Sequence, residues 1–338
     1  MLFIPLALLL GGCHDYEKYD NNLAGNFDAL WTIVDEHYCF FEEKDVDWDA
    51  VGTKYRAMLD HEMDVREFFD ILAAMLNELR DGHCNLSAGF NTSSYRAWWI
   101  DYPQDFNLRT LEQYYLGFDW QTSCGMRYKI LAGNIGYIYY PSFAYTLGEG
   151  NLDWILSYFE NCDGLIIDIR DNGGGELSNV HKLAGRFIGK DMTGGYMRHK
   201  TGPGHSDFSE PYAVEYKVPK GNHVMWHKPV AVLTNRSCFS AANDFVAVMK
   251  QLPQVRIVGA KTGGGGGIPF SSEIPVGWGI RFSACPMYDI DMNSIENGID
   301  PSKGFAVHSP DMELAAGRDR ILEFAIAYLS GSRTPFRR

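Results

Sequence analysis

The chain has 338 residues, which at roughly 150 residues per domain predicts about two structural units. Hydrophobic residues make up 46% of the chain and charged residues 22%, a composition that excludes a disordered or fibrous protein. The 43 Asp and Glu residues outnumber the 30 Lys and Arg residues and give a net charge of -13, which excludes nucleic acid as an expected partner.

The first 13 residues form an apolar segment that ends in a cysteine. Leu2–Leu10 is followed by Gly11, Gly12 and Cys13, and the sequence then turns polar. This ending resembles the lipobox of bacterial lipoproteins, in which small residues precede a cysteine that becomes the lipidated first residue. The resemblance implies a signal segment at 1–13 and a lipid anchor on Cys13 at the bacterial cell envelope, on the outer membrane or periplasmic face. A buried strand is the alternative.

The rest of the chain contains no further membrane signal. No apolar run comes close to the length of about 20 residues that is needed to cross a bilayer, which excludes a multi-span membrane protein. The six cysteines after Cys13 form no Cys-x-x-Cys pair and no zinc-like spacing. We therefore expect no structural metal site and mostly buried free thiols.

Residues 14–92 are predicted to form an N-terminal helical domain. The spacing of apolar residues between Asn21 and Arg80 predicts three amphipathic helices, the last of which should end near Leu79–Gly82, with Gly82 in a helix-stop position. Residues 93–125 are rich in Tyr and Trp and are predicted to be a connector that packs aromatic side chains over the core. An alternative is that Trp98 and its neighbours line a substrate groove.

Residues 126–335 alternate between short β-like runs and longer helical ones, which predicts an α/β core. The predicted strands are Ile135–Tyr139, Gly164–Ile169, Val230–Leu233 and Arg256–Val258, and the predicted helices are Leu152–Glu160, Leu177–Ile188, Ala241–Gln251 and Asp319–Leu329. The stretch Arg198–Val224 is expected to be an excursion or hairpin within this core.

Two strand-to-helix turns in the core could carry chemistry. The first ends in three glycines, among them Gly173 and Gly174, where backbone N–H groups can face an anion or oxyanion without a Cβ in the way. A simple tight turn is the alternative, since neither nucleotide-binding glycine motif is present. The second turn leads to Ser240 before a helix. Ser240 could serve as the N-cap, and the positive helix end could also stabilise an oxyanion.

Several segments occur in a defined order along the chain. They are Asp47–Trp48, Leu79–His83, Asp168–Gly175, Leu233–Ala242, Val258–Gly264 and Glu296–Pro301. Together they resemble the C-terminal processing peptidase and tricorn-core family of serine peptidases. The resemblance covers most of residues 22–330 and implies an α/β core of the crotonase/ClpP-like superfold with an N-terminal three-helix domain.

The resemblance also distinguishes between two catalytic branches. The Ser/Lys branch has a lysine in the stretch that matches Thr262–Gly267, whereas here only glycines follow the threonine, so Lys261 is interpreted as a surface charge. The tricorn-like branch uses a histidine and a glutamate, which correspond to His83 and Glu296. The resemblance thus implies a triad of Ser240, His83 and Glu296.

In such a triad each residue has a separate task. A serine is a weak nucleophile unless a base takes its proton, and His83, with an ordinary pKa of about 6.5, is suited to do so. Glu296 would orient the imidazole and stabilise its cation. By resemblance, the oxyanion would be bound by the N–H groups of Gly173 or Gly174 and of Ala241.

The implied activity is hydrolysis of peptide bonds in peptide or protein substrates through an acyl-enzyme, without a metal or organic cofactor. Only about 50 residues separate His83 from the first core strand, so no PDZ domain is expected. Asn243 stands where the family often has Glu, and is interpreted as support for the helix start. Two alternatives remain: a catalytically silent lipoprotein that binds a peptide, lipid or glycan, and a crotonase-type acyl-CoA enzyme. The oligomeric state is left open.

Overall fold

The structure is a computed structural model that describes residues 18–331, so Cys13 and the predicted signal segment lie outside the described residues. The helices are α1 (Leu23–His37), α2 (Trp48–Arg56), α3 (Val65–Asn77), α4 (Ala97–Ile100), α5 (Leu108–Thr110), α6 (Glu149–Tyr158), α7 (Leu177–Gly185), α8 (Ala241–Met249), α9 (Asp311–Ala315) and α10 (Arg320–Leu329), with a π-helical turn at Leu111–Leu116. The strands are β1 (Asn85–Ala88), β2 (Asn91–Thr92), β3 (Gln121–Ser123), β4 (Met126–Leu131), β5 (Ile135–Tyr139), β6 (Gly164–Asp168), β7 (Met192–Met197), β8 (Tyr212–Tyr216), β9 (Val230–Thr234), β10 (Val255–Gly259), β11 (Gly267–Ile274) and β12 (Trp278–Tyr288).

The chain divides into two compact units. Among the described residues, the first comprises 18–95 together with 200–207 and 269–284, and the second comprises 96–199, 208–268 and 285–331. This division differs from the contiguous core predicted at 126–335, because two inserted segments belong to the first unit. The physical reason lies in β12, whose Ile280 and Phe282 are buried in the first unit's core.

The first unit contains the three predicted helices. Each begins at a side-chain cap: Asn22, Asp47 and Asp64 accept hydrogen bonds from backbone N–H groups of the first turns of α1, α2 and α3. The predicted stop at Gly82 was wrong. Helix α3 ends earlier, and the left-handed residue that follows is Arg80, with a φ of 49°.

Strands complete the first unit. β1 pairs antiparallel with the beginning of β12, with Leu86 opposite Ile280. Both side chains are buried among the helices' apolar residues, so one face of this pair covers the helical core. This packing ties residues 269–284 to the N-terminal helices.

The second unit contains a six-stranded sheet in the order β10-β9-β6-β5-β4-β3. The four strands β10, β9, β6 and β5 are parallel, and β4 and β3 continue the sheet antiparallel. β5, β6 and β9 are buried along their whole length, as expected for parallel strands covered on both faces. One face packs against α6, α7 and α8 and the other against α10. The predicted α/β core is confirmed.

Smaller elements of the second unit refine the predictions. The excursion at 198–224 lies at the antiparallel pair β7–β8, which confirms the hairpin. The aromatic connector holds α4, α5, the π-helical turn and β3. All six cysteines in the described part are free thiols, and three of them are buried. Within residues 18–331 no helix combines the length and apolarity needed to cross a bilayer.

Candidate active site

Ser240 lies in the turn between β9 and α8. Its backbone has a φ of 57° and a ψ of -124°, a conformation that is costly for any residue with a side chain. The Ser240 N–H donates to the carbonyl of Gly264 at 2.8 Å. The alternative interpretation of Ser240 as a side-chain cap is not supported, since its hydroxyl makes no cap hydrogen bond to α8. Capping of α8 therefore does not explain the strained backbone of Ser240.

The glycine turn after β6 lies against Ser240. A Cβ atom on Gly174 would lie 2.7 Å from the Phe239 carbonyl oxygen and 2.9 Å from the Ala241 nitrogen, so only glycine fits there. The Gly174 N–H donates to the Asn172 side chain at 2.9 Å. Among the described residues, the N–H groups of Gly173 and Ala241 have no hydrogen-bond partner. Of the two candidate glycines, Gly173 is therefore the one whose N–H group could donate a hydrogen bond to an oxyanion.

Hydrogen bonds connect the two turns. β6 and β9 are neighbouring parallel strands, so the turns at their carboxyl ends meet at one edge of the sheet. The Asn235 side chain exchanges hydrogen bonds with Asp171, and the Phe239 N–H donates to the Asn172 carbonyl at 3.1 Å. These hydrogen bonds hold together residues that are about 65 positions apart in the sequence.

Glu296 is joined to the Ser240 turn through the glycine segment Gly263–Gly267. The Glu296 carboxylate is 6% exposed and accepts a hydrogen bond from the Gly266 N–H at 2.8 Å. A Cβ on Gly264 would lie only 1.8 Å from the Glu296 carbonyl oxygen. Because the Gly264 carbonyl also accepts from the Ser240 N–H, the segment connects Ser240 with Glu296. Close packing therefore explains why glycine is found in this segment, where the Ser/Lys branch has its lysine.

Asn243, the residue that departs from the family pattern, is fully buried in α8. Its Oδ1 accepts from the Thr262 hydroxyl at 2.6 Å, and its Nδ2 donates to the Ile295 carbonyl at 2.9 Å. Asn243 therefore fixes the segments before Gly263 and before Glu296 relative to α8, which is a wider role than supporting the helix start.

His83 belongs to the first unit, where it is 3% exposed. Its backbone N–H donates to the Asp81 carboxylate at 2.7 Å, and its Nδ1 lies 3.3 Å from the Ser283 hydroxyl oxygen. Burial lowers the pKa of His83 to about 4; Asp81 opposes this shift, and Arg281 and Lys44 add to it. The imidazole is thus neutral at pH 7, the form that a general base requires.

The structure brings together five of the predicted site residues in the second unit: Gly173, Gly174, Ser240, Ala241 and Glu296. His83 lies in the other unit, so the assembly of the complete triad stays a prediction. Lys261 is exposed, as predicted, with its amine 3.9 Å from Asp300. The Trp98 ring stacks on Phe239 at 4.3 Å, which supports packing for this connector residue. Sequence reasoning missed Ser283, which belongs to none of the recognised segments.

Among residues 18–331, no three His, Cys, Asp or Glu side chains are arranged to hold a metal ion. The second unit holds a strained serine beside backbone donors and a buried carboxylate, and the first unit holds a neutral histidine. These are the types of residue that a serine hydrolase uses.

Comparison with known proteins gives the family. Peptidase family S41 matches residues 134–303, about half of the chain, and the tricorn protease C1 domain matches residues 19–77. The chain belongs to peptidase family S41. The crystal structure of a peptidase candidate from Parabacteroides merdae matches this chain with a TM-score of 0.86 at 47% sequence identity. The match covers 92% of this chain and 97% of that protein.

More distant relatives share the fold or part of the sequence. Mature CPAF has a TM-score of 0.73 at 12% identity, over 93% of this chain and 98% of its own. The carboxy-terminal processing protease CtpB of Bacillus subtilis is 25% identical over 191 residues, which is 54% of this chain and 36% of CtpB. The chain spans about a third or less of the length of the curated relatives that it matches.

Proposed function

We propose that this protein is a serine peptidase that hydrolyses peptide bonds in peptide or protein substrates through an acyl-enzyme on Ser240. The observation that carries the proposal is the backbone of Ser240. It is held at a positive φ at the start of a buried helix, beside the unpaired N–H groups of Gly173 and Ala241. Strain of this kind persists only where the surroundings enforce it, and it is typical of functional sites.

The proposed reaction has two halves. His83 takes the proton from the Ser240 hydroxyl as its oxygen attacks the peptide carbonyl carbon, and the N–H groups of Gly173 and Ala241 bind the resulting oxyanion. His83 then gives the proton to the leaving amine, which departs and leaves the acyl-enzyme. Water, deprotonated by His83, attacks the ester carbonyl carbon. The bond to the Ser240 oxygen breaks, His83 returns the proton to that oxygen, and the second product leaves. Glu296 acts as the third member of the triad.

We also propose a superfold for the second unit and a cellular location for the protein. The parallel sheet with helices on both faces supports assignment of the second unit to the crotonase/ClpP-like superfold. The sequence around Cys13 supports a lipid anchor at the cell envelope. Incorporation of labelled palmitate in a bacterial host, lost in Cys13→Ala, tests the anchor, and incorporation that persists in this variant would contradict it.

Labelling with a fluorophosphonate probe tests the activity. On the purified chain we expect peptide mapping by mass spectrometry to find the adduct on Ser240, and to find none in Ser240→Ala or His83→Ala. Ser271→Ala, the same chemical change at an exposed strand position, is the matched control and should label like wild type. A folded wild-type protein that does not label would favour the silent binding protein instead.

A further inference from the structure

A cavity of about 670 Å³ lies in the second unit, and we call it the Arg236 cavity. Its wall includes Tyr102 and Pro103 from the aromatic connector. Three basic side chains also line it: those of Arg236, Lys261 and His308. A cavity of this size, with apolar walls and a small number of polar groups, is typical of a ligand site. The reaction proposed above makes no use of it.

The guanidinium of Arg236 is held in one position by its neighbours. Its Nε donates to the Trp98 carbonyl, its Nη1 donates to the Thr262 carbonyl at 3.1 Å, and the group lies 4.1 Å from the centre of the Tyr102 ring. A Cβ on Gly263 would lie 2.3 Å from the Trp98 ring and 2.4 Å from the Arg236 carbonyl oxygen, so this packing is close. The third nitrogen, Nη2, makes no hydrogen bond to any residue of 18–331. It is therefore available to a ligand.

The positive charge of Arg236 is not paired within the described part of the chain. Arg170 and Arg186, which are buried in the same unit, each form ion pairs with two carboxylates, whereas Arg236 forms none with residues 18–331. The Lys261 amine has one ion pair, at 3.9 Å to the exposed Asp300, which is too long for a hydrogen bond. In a chain with a net charge of -13, two cations without a close carboxylate partner favour an anionic ligand.

The acidic residue in the lining, Asp105, is matched by its own donors. Its carboxylate accepts a hydrogen bond from the Ser309 N–H at 2.7 Å and is hydrogen-bonded to Nδ1 of His308. The Asp105 side chain is only 4% exposed. The charge that the cavity presents to a ligand therefore comes from Arg236 and Lys261.

The Arg236 cavity is close to Ser240 along the backbone. Lys261 is three residues before Gly264, whose carbonyl accepts from the Ser240 N–H at 2.8 Å. An extended chain spans at most about 3.6 Å per residue, so the Cα atoms of Lys261 and Gly264 are within about 11 Å of each other. By the same measure Arg236, four residues before Ser240, has its Cα within about 14 Å of that of the serine. These lengths correspond to three or four residues of an extended peptide bound at Ser240.

We propose that the Arg236 cavity binds a carboxylate of the peptide substrate, within about four residues of the bond that is cleaved. Nη2 of Arg236 and the Lys261 amine bind the carboxylate oxygens, and Tyr102 and Pro103 pack against the apolar part of the same residue. Hydrogen bonds between charged partners are about twice as strong as neutral ones, and a planar guanidinium suits a carboxylate. The inference rests on the proposed function and names a substrate class for it. An Asp or Glu side chain and a C-terminus offer the same group, and the test distinguishes them.

The primary test is binding of short peptides to Ser240→Ala, which cannot form the acyl-enzyme. The first pair of probes is acetyl-Ala-Ala-Ala-Ala with a C-terminal amide or a free C-terminal carboxylate. The second pair is acetyl-Ala-Ala-Glu-Ala-amide and acetyl-Ala-Ala-Gln-Ala-amide. In NMR titrations we expect the acidic member of at least one pair to bind about 10-fold more tightly than its neutral counterpart. The pair that shows this preference identifies the source of the carboxylate.

Substitutions in the same Ser240→Ala background assign the preference to the Arg236 cavity. Lys261→Gln should reduce it about 3- to 10-fold, and Arg236→Lys, which keeps the charge but loses the fixed guanidinium, should reduce it at least as much. Lys220→Gln, at an exposed lysine of the same unit, is the matched control and should leave it unchanged. If Arg236→Lys does not fold, the Lys261→Gln result decides. Equal or undetectable binding of the acidic and neutral peptides would overturn the proposal, as would a preference unchanged in Lys261→Gln.

The activity and the carboxylate site can fail separately. If wild type does not label at Ser240 but the acidic peptides bind as expected, the activity proposal fails and the carboxylate site stands. If wild type labels and acidic and neutral peptides bind equally, only the carboxylate site fails. Mass-spectrometric mapping of the bonds that active wild type cleaves in a peptide library should find an acidic residue or a C-terminus within about four residues of the cleaved bond. Cleavage without this preference would overturn the assignment of the cavity to the substrate.

Discussion

A Cβ atom on Gly174 would lie 2.8 Å from the Cβ of Ser240, closer than two such carbons approach in folded proteins. Gly174 also has a φ of 98°, in the region that favours glycine. The two turns of the candidate site are therefore in direct backbone contact, and the position of Ser240 depends on the absence of a side chain at Gly174.

Gly174→Ala is expected to lower the free energy of unfolding by more than about 1 kcal/mol and to abolish probe labelling of Ser240, because both the contact and the positive φ oppose a Cβ. Gly173→Ala is the matched control for stability: its Cβ would meet nothing within 4 Å. Thermal unfolding and labelling measure the two effects. Equal stability of the two variants would contradict this interpretation.

The pH dependence of labelling should report the pKa of His83. Because this pKa is about 4, the base is neutral above that pH, and the labelling rate should fall only as the pH drops through about 4. Asp81 favours the protonated ring, whereas Arg281 and Lys44 disfavour it, and the Cys84 thiol lies near Arg281.

Arg281→Gln removes one of the charges that lower this pKa, so the acid limb should move to higher pH. Arg66→Gln, at an exposed position of α3, should leave the limb in place. The same shift affects stability: between pH 4 and the ordinary pKa of about 6.5 the unfolded chain binds more protons, so the His83 contribution lowers the free energy of unfolding as the pH falls through this window. An acid limb that stays fixed in Arg281→Gln would refute the assignment.

Tyr216 and Asp244 form a buried pair in the second unit. The Tyr216 hydroxyl donates to the Asp244 carboxylate at 2.8 Å, and burial raises the pKa of Asp244 to about 6 despite this bond. Tyr216→Phe should lower the free energy of unfolding by about 1–3 kcal/mol at pH 8, where the carboxylate is ionised and loses its donor. At pH 5 the loss should be smaller, since the carboxyl is then protonated. Chemical denaturation at both pH values measures it, with Tyr212→Phe, at an exposed tyrosine of the same strand, as control. A loss independent of pH would argue against the pair.

Asn243→Ala tests the connection between α8 and the Glu296 segment. It removes the partners of the Thr262 hydroxyl and of the Ile295 carbonyl, so we expect a loss of about 1–3 kcal/mol in the free energy of unfolding and slower labelling of Ser240. Asn151→Ala, at the equivalent third position of α6 but exposed, is the matched control. Unchanged stability and labelling in Asn243→Ala would contradict the connecting role.

The sequence was most informative where structure is local. The strand at Ile135–Tyr139 was predicted with its observed ends, and the helix after Ser240 began at the predicted residue, because apolar runs and capping positions are encoded by neighbouring residues. The contact between His83 and Ser283 joins residues 200 positions apart, and no spacing rule reaches that far. The partner of the Gly174 N–H was also beyond sequence reasoning, since it depends on the turn's backbone angles.

The first unit is assembled from distant parts of the chain, and this has a consequence for biosynthesis. Leu86 pairs with Ile280, 194 residues later, so the helices leave the ribosome long before the strand that covers them. At about 5–20 residues per second the delay is about 10 to 40 s, during which the apolar faces of α1 and α3 lack one side of their core. Until β12 has been synthesised, the first unit therefore lacks the strand that covers this part of its helical core.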